Sequence, residues 1–171
     1  MKKYFFLFFF LFSFTNAFAE EKIVYLDVNL LLTESEAGKY INIELKKIND
    51  KNIEEFKKIE SSIKTEEEKL LKQKNLLSKD EFNKKANKLR EKYQSYQELQ
   101  KTKNNNLKSL RDNAANEILK IINQVLADYS AKNKISLIVE KKNIVIGKTE
   151  LDITKSILEL LNIKIKKVEL K

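Results

Sequence analysis

The longest regular pattern in the chain is a spacing of three and four between apolar residues, from about residue 39 to residue 132. Charged and amide side chains fill the intervening positions. This spacing is typical of helices that pack side by side in a coiled coil. With Gln100 and Lys103 included, residues 82–114 follow a strict repeat of four and three, whereas the earlier part shifts phase near Asn52, which indicates a stutter. The apolar positions are Ile41, Leu45, Ile48, Phe56, Ile59, Ile63 and Leu70, then Phe82, Ala86, Leu89, Tyr93, Tyr96, Leu107, Leu110, Ala114, Ile121 and Val125.

Two coincident signals mark the start of a second helix inside this tract. Ser78 and Glu81 have the spacing of a capping box, in which each side chain binds the backbone amide of the other residue. Leu77 and Phe82 flank the cap as a hydrophobic staple. The tract is therefore predicted to be two antiparallel helical arms joined by a tip near residues 74–79. The alternative is one uninterrupted helix.

The segments on either side of the helical tract are short and rich in β-branched residues. Residues 22–28 predict a strand. Residues 135–139 and 144–146 predict a β-hairpin, with Asn143 at a turn position that needs a positive φ.

A last helix and a tail are predicted after this hairpin. Asp152 is placed to cap the helix, and residues 163–170 alternate like a further edge strand. The residues predicted on one face of the helix are Ile153, Ile157, Leu160 and Leu161.

These elements define an α+β fold with a small β-rich body and a long antiparallel coiled-coil hairpin. The body is predicted from residues 20–38 and 133–171, and the arms from residues 39–132.

Residues 118–170 contain 23 Ile, Leu and Val side chains. A body of this size cannot enclose so much apolar surface alone. We therefore expect a homo-oligomer, although the same surface could stay open for clients. The interface candidates are Ile23, Val24, Leu26, Ile138, Ile144 and Ile146, of which the first three fit a private core equally well.

Residues 1–19 have the pattern of a secretory signal peptide. Lys2 and Lys3 precede an apolar run, and Ala17-Phe18-Ala19 has the form of a cleavage site. The alternative is a membrane anchor, but the run of eleven residues is shorter than the roughly 20 needed to span a bilayer. The sequence therefore predicts cleavage of this segment and export of residues 20–171.

The composition argues against catalysis. The chain has no His and no Cys, which removes the imidazole base, the thiolate nucleophile and the usual zinc ligands. Its two glycines are too few for a phosphate-binding loop. We therefore predict no enzyme activity, no catalytic residue, no metal and no cofactor.

The positive charge is concentrated at the far end of the arms. Residues 69–103 hold eleven basic and four acidic side chains, a net charge of +7, whereas charges elsewhere in residues 20–171 cancel. Such a charge favours solubility, or an anionic partner such as an acidic polypeptide or an anionic lipid surface. Export and the lack of a recognition motif argue against nucleic acid. The candidate binding residues are Lys69, Lys72, Lys74, Lys79, Lys84, Lys85, Lys88, Arg90, Lys92, Lys101 and Lys103.

The order of these elements resembles the Skp/OmpH family of periplasmic chaperones. The most specific pieces are Lys-Ile-Val-Tyr-Leu-Asp-Val at residues 22–28 and Leu-Asp-Ile-Thr-Lys-Ser-Ile-Leu at residues 151–158. The resemblance implies a jellyfish-like homotrimer whose β-rich body carries three helical hairpins around a cavity. It implies that the cavity holds unfolded outer-membrane proteins without ATP. The tail of residues 163–171 is longer than usual for the family.

Two functional hypotheses remain open. One is a holdase chaperone for unfolded β-barrel proteins, and the other is a structural spacer of the cell envelope that binds a folded partner. Phe82, Tyr93 and Tyr96 are either adaptable apolar contacts for a client or, the interpretation we favour, packing between the arms.

Overall fold

The structure, a computed structural model, describes residues 21–171. Residues 1–19, where the signal peptide is predicted, lie outside the described residues. In chain order the elements are β1 (Lys22–Leu26), α1 (Val28–Glu34), α2 (Glu36–Lys72), α3 (Lys79–Asn133), β2 (Ile135–Glu140) and α4 (Thr154–Lys164), with single 3-10 turns at Lys141–Asn143 and Thr149–Leu151.

The two long helices form the hairpin that the apolar spacing predicts. Helix α2 has 37 residues and α3 has 55. At about 1.5 Å per residue they are roughly 55 and 80 Å long. Glu66 of α2 pairs with Lys92 of α3. Glu55, earlier in α2, pairs with Lys103, later in α3. The helices are therefore antiparallel, and the predicted α+β architecture is confirmed.

The predicted capping box is present at the start of α3. The hydroxyl of Ser78 accepts a hydrogen bond from the amide of Glu81 at 3.3 Å, and the carboxylate of Glu81 accepts from the amide of Ser78 at 3.1 Å. Hydrogen bonds from the Ser78 side chain and backbone hold the pKa of Glu81 below its usual value. Because α2 ends at Lys72 and residues 73–78 form the connection, the alternative of one continuous helix is wrong.

The predicted β-hairpin at residues 135–146 is wrong. Strand β2 pairs in parallel with β1, so that Ile23 lies opposite Leu137. The whole helical hairpin acts as the long crossover that a parallel pair requires. Residues 144–146 form no strand, and Asn143 does not have a positive φ. Among residues 21–171, the one non-glycine residue with a positive φ is Lys134, at 53°, where α3 ends.

Tyr25 explains why the segment after β2 does not fold back as a strand. The Tyr25 hydroxyl donates to the backbone oxygen of Lys148 at 3.2 Å, and the ammonium of Lys141 lies 5.9 Å from the ring centre. A Cβ at Gly147 would lie 2.9 Å from the ring. The segment therefore wraps around the ring, which only a glycine at position 147 can approach this closely.

The N-cap of helix α4 lies one residue after the predicted cap, Asp152. This residue is Ile153, although Asp152 Oδ1 accepts a hydrogen bond from the amide of Thr154 at 2.9 Å. The expected edge strand over residues 163–170 is also wrong. Helix α4 continues to Lys164, and residues 165–171 have no regular structure.

The hydrophobic core lies where the body meets the roots of the arms. It contains residues from β1, all four helices and the tail. Gly38 is buried in the first turn of α2, where a Cβ would collide with the backbone oxygen of Leu32 at the end of α1. The buried core residues are Val24, Leu26, Leu31, Ala37, Ile41, Leu45, Ala114, Ile118, Ile122, Val125, Ile153, Ile157, Leu161 and Val168.

Candidate functional site

The arms pack tightly near the body and loosely near the tip. Every buried side chain of α2 lies at or before Ile63, and every buried side chain of α3 lies at or after Tyr96. Over residues 64–95, which the structure describes completely, no side chain is fully buried. The apolar side chains that remain half-buried there are Leu70, Leu77, Phe82, Ala86 and Leu89. Few buried contacts give a segment a small free energy of local opening, so the distal arms are the most easily opened part of the hairpin.

Tyr96 marks the boundary of the well-packed region. Its ring meets Phe56 edge-on, with 6.0 Å between ring centres. Its hydroxyl donates to Glu60 at 2.8 Å and accepts from Gln100 at 2.7 Å. Burial, followed by the hydrogen bond to Glu60, raises the pKa of Tyr96 to about 12. Tyr96 therefore packs between the arms, as favoured above, whereas Tyr93 is 50% exposed.

Two of the eleven predicted binding residues are engaged within the hairpin. Lys103 pairs with Glu55 at 3.1 Å. Lys92 pairs with Glu66 and also donates to Ser62 at 3.0 Å. The hydrogen bond from Lys92 lowers the pKa of Glu66. Both lysines are only half-exposed and hold the arms together, so they offer a partner less than their sequence position suggests.

The other nine predicted binding residues are exposed, and none of them forms an ion pair with a carboxylate of residues 21–171. Two side chains have neutral partners: Lys85 donates to Gln73, and Arg90 donates to Asn87. Within residues 69–103, two of the four acidic residues, Asp80 and Glu81, lie in the first turn of α3, where the helix dipole favours them. We call the nine residues the distal lysine surface: Lys69, Lys72, Lys74, Lys79, Lys84, Lys85, Lys88, Arg90 and Lys101.

Apolar side chains accompany these charges at the tip. Leu71 is 61% exposed and Leu76 is 83% exposed. A shallow groove of about 320 Å³ lies between the arms. Its lining contains the apolar Leu70 and Leu89 and the cationic Lys69, Lys85 and Lys88, beside Glu66 and Gln73. The tip can therefore offer apolar and cationic contacts to one extended chain.

The predicted interface residues do not share one environment. Val24 and Leu26 are buried in the core of the single chain. Ile138 and Ile144 are half-buried. Ile23 is 46% exposed and Ile146 is 92% exposed, next to the fully exposed Val145. Of the six, Ile23 and Ile146 offer the most apolar surface to a second copy.

Several structural residues escaped the sequence reasoning. Ile118 and Ile122 are almost completely buried, although the pattern pointed to Ile121. Their spacing carries the signal, because steps of four, four and three lead from Ala114 through Ile118 and Ile122 to Val125. The exposed Leu71 and Leu76 gave no signal, since a leucine in a helical repeat ordinarily predicts burial.

The described part of the chain contains neither a metal cluster nor a membrane-spanning helix. No three His, Cys, Asp or Glu side chains of residues 21–171 are grouped to hold a metal ion. No helix in that range combines the length and the apolar character that crossing a bilayer requires.

Comparison with known proteins identifies the family. The model of the family described as "Outer membrane protein (OmpH-like)" matches residues 22–161. The fold also matches a crystal structure of a "putative outer membrane chaperone (OmpH-like)" from Caulobacter crescentus CB15, with a TM-score of 0.80 and 17% sequence identity. That match covers 88% of this chain and 89% of the other. No curated protein matches the chain at a significant level.

The chain belongs to the OmpH-like family, because the family model covers most of its length. This confirms the resemblance noted in the sequence. The crystal structure, at its low sequence identity, independently confirms the fold. The assignment agrees with the prediction that the chain is not an enzyme.

Proposed function

We propose that this protein is an ATP-independent periplasmic holdase that binds unfolded outer-membrane β-barrel proteins between its helical arms. The observation that carries the proposal is the distal lysine surface, because eight of its nine residues, all except Lys101, lie on the most loosely packed part of the hairpin. Membership of the OmpH-like family supports a chaperone role. The chaperone description of the structurally similar Caulobacter protein points the same way.

The chemistry of the distal arms suits a client without a fixed shape. A lysine offers a charged head and an apolar stem, so one side chain contacts acidic and apolar segments alike. Leu70, Leu71 and Leu76 add apolar surface beside the lysines. Each such contact is weak and exposed, which favours binding to many sequences and release without an energy source.

A homotrimer would turn the separate hairpins into a container. Its support is the apolar surface that the single chain leaves exposed in its body, including Ile23, Leu137, Val145 and Ile146. Contact with identical subunits would bury this surface. Three copies would bring the distal charge to three times +7, or +21. An anionic lipid surface is a second partner for this charge, and nucleic acid is not proposed.

An aggregation assay tests the proposal. A β-barrel protein unfolded in urea is diluted into buffer with the chain of residues 20–171, without ATP, and light scattering is followed. The holdase account predicts that scattering is suppressed and that the same barrel, once folded in detergent, is not bound. Failure to suppress scattering, combined with binding to a folded envelope protein, would instead support the structural spacer.

A further inference from the structure

We infer that the tail, residues 165–171, is a clasp that fixes the roots of the two arms to each other and to the body. The tail follows α4 and lies outside the residues that the family model matches, which end at 161. It has no regular structure, so its position is set by side-chain contacts with the arms.

The first half of the tail contacts the start of α2. The ammonium of Lys166 lies 3.7 Å from the carboxylate of Glu36. The ammonium of Lys167 lies 5.4 Å from the ring centre of Tyr40, one helical turn further along. These contacts place the tail beside the first two turns of the arm. Both are at the surface and contribute direction more than stability.

The second half of the tail contacts α3. The side-chain amide of Asn113 donates to a backbone oxygen of Lys171 at 3.0 Å. Asn113 lies twenty residues before the end of α3 at Asn133, which corresponds to about 30 Å along the helix. The tail therefore leaves the body and runs outward along the hairpin, touching both arms.

Val168 anchors the tail between these two sets of contacts. It is 8% exposed and belongs to the hydrophobic core, together with Leu45 of α2 and Ala114 of α3. Ile165 and Leu170 pack against the same core. Burial of an apolar side chain is favourable in proportion to the area removed from water, whereas exposed ion pairs contribute little, so this contact holds the tail more strongly than the surface pairs do.

The extent of the tail divides the hairpin into two mechanical parts. The roots, up to the level of Asn113, contain three chain segments packed together. Beyond that level, every buried side chain among residues 21–171 belongs to α2 or α3, and the seam there includes the polar side chain of Asn52. The clasp therefore confines opening of the arms to the part beyond the tail. This conclusion does not depend on what the arms bind.

Hydrogen exchange measured by mass spectrometry tests the clasp on the chain of residues 20–171. Val168→Ser is compared with Glu169→Ala, which changes an exposed neighbour in the same tail. The clasp predicts that Val168→Ser speeds exchange of amides in residues 36–45 and 107–118 by about tenfold. Glu169→Ala should leave the exchange of these amides unchanged. Neither variant should change the exchange of amides in β1 and β2.

Two further variants test the clasp if Val168→Ser does not fold. Deletion of residues 165–171 should speed exchange in the same two segments. Asn113→Ala, which leaves the core intact, should speed hydrogen exchange in residues 107–118 only. Unchanged exchange in the roots would show that the tail merely adheres to the surface. Equal acceleration throughout the body would show that Val168 supports global stability and clasps nothing. Either result would overturn the inference.

Discussion

The backbone amide of Asp27 donates a hydrogen bond to the hydroxyl of Thr154 at 2.9 Å, joining residues 127 positions apart in the sequence. The Thr154 hydroxyl in turn donates to Asp152. The carboxylate of Asp27 accepts from the amide of Leu30 at 2.9 Å and caps α1. The end of β1 and the start of α4 are thus tied together at one point. The two sequence motifs that carry the family resemblance meet there.

Replacing Thr154 by valine tests this tie. Thr154 is 7% exposed, so its removal leaves the amide of Asp27 without a partner in a mostly buried place. We expect the free energy of unfolding to fall by about 1–3 kcal/mol, as measured by urea denaturation. Thr33→Val is the matched control, because Thr33 is exposed and bonds only within its own helix. Equal effects of the two changes would contradict the structural role of the tie.

Asp152 gives the stability of the body an acid dependence. Burial raises the pKa of Asp152, but hydrogen bonds from Lys141 and Thr154 outweigh it and leave the pKa below its usual 3.8. The charged form is therefore favoured in the folded chain. Its contribution to stability is present above pH 3.8 and is lost as the pH falls through the lower pKa of the folded chain. We expect Asp152→Asn to lower stability near neutral pH and to flatten the loss below pH 3.8. Parallel pH profiles of the two proteins in urea denaturation would contradict this.

The raised pKa of Tyr96 predicts that the packing between the arms weakens at alkaline pH. Its pKa is raised from 10.0 to about 12 in the folded chain. Folding thus favours the neutral phenol. Its contribution to the stability of the folded chain is complete below pH 10 and is lost as the pH rises through about 12. Absorbance of tyrosinate should show a late titration step that Tyr96→Phe removes. A late step that persists in the variant would belong to another tyrosine.

The distal lysine surface predicts binding that depends on salt. We expect Lys84, Lys85 and Lys88, changed together to glutamine, to weaken capture of an unfolded β-barrel protein on the order of tenfold at low ionic strength. The difference should shrink as salt screens the charges. The control changes Lys51, Lys57 and Lys58, which lie nearer the body, where acidic and basic residues balance. Fluorescence titration measures both variants, and equal losses would exclude a specific role for the distal surface.

Local signals in the sequence located the helices well. The capping box at Ser78 and Glu81 uses residues three positions apart, so its chemistry is visible before the fold is known. The spacing of apolar residues likewise reveals which stretches form amphipathic helices.

Contacts between distant segments were not accessible in the same way. The partner of β2 is β1, more than a hundred residues earlier, and nothing within residues 135–146 indicates this choice. The packing of residues 141–147 around Tyr25 likewise joins segments that are far apart in the sequence. The charge of Lys92 and Lys103 was evident, but their engagement by Glu66 and Glu55 depends on the register between the arms. The alternating residues of the tail suggested a strand, but its buried side chain, Val168, inserts into the hydrophobic core instead.

Native mass spectrometry of residues 20–171 distinguishes a trimeric chaperone from a structural spacer. The chain is measured alone and after mixing with a β-barrel protein diluted from urea. A trimeric holdase should have the mass of three copies alone, and of three copies plus one unfolded barrel after mixing. A monomer or dimer whose mass is unchanged by the unfolded barrel would contradict both the trimeric container and the holdase function.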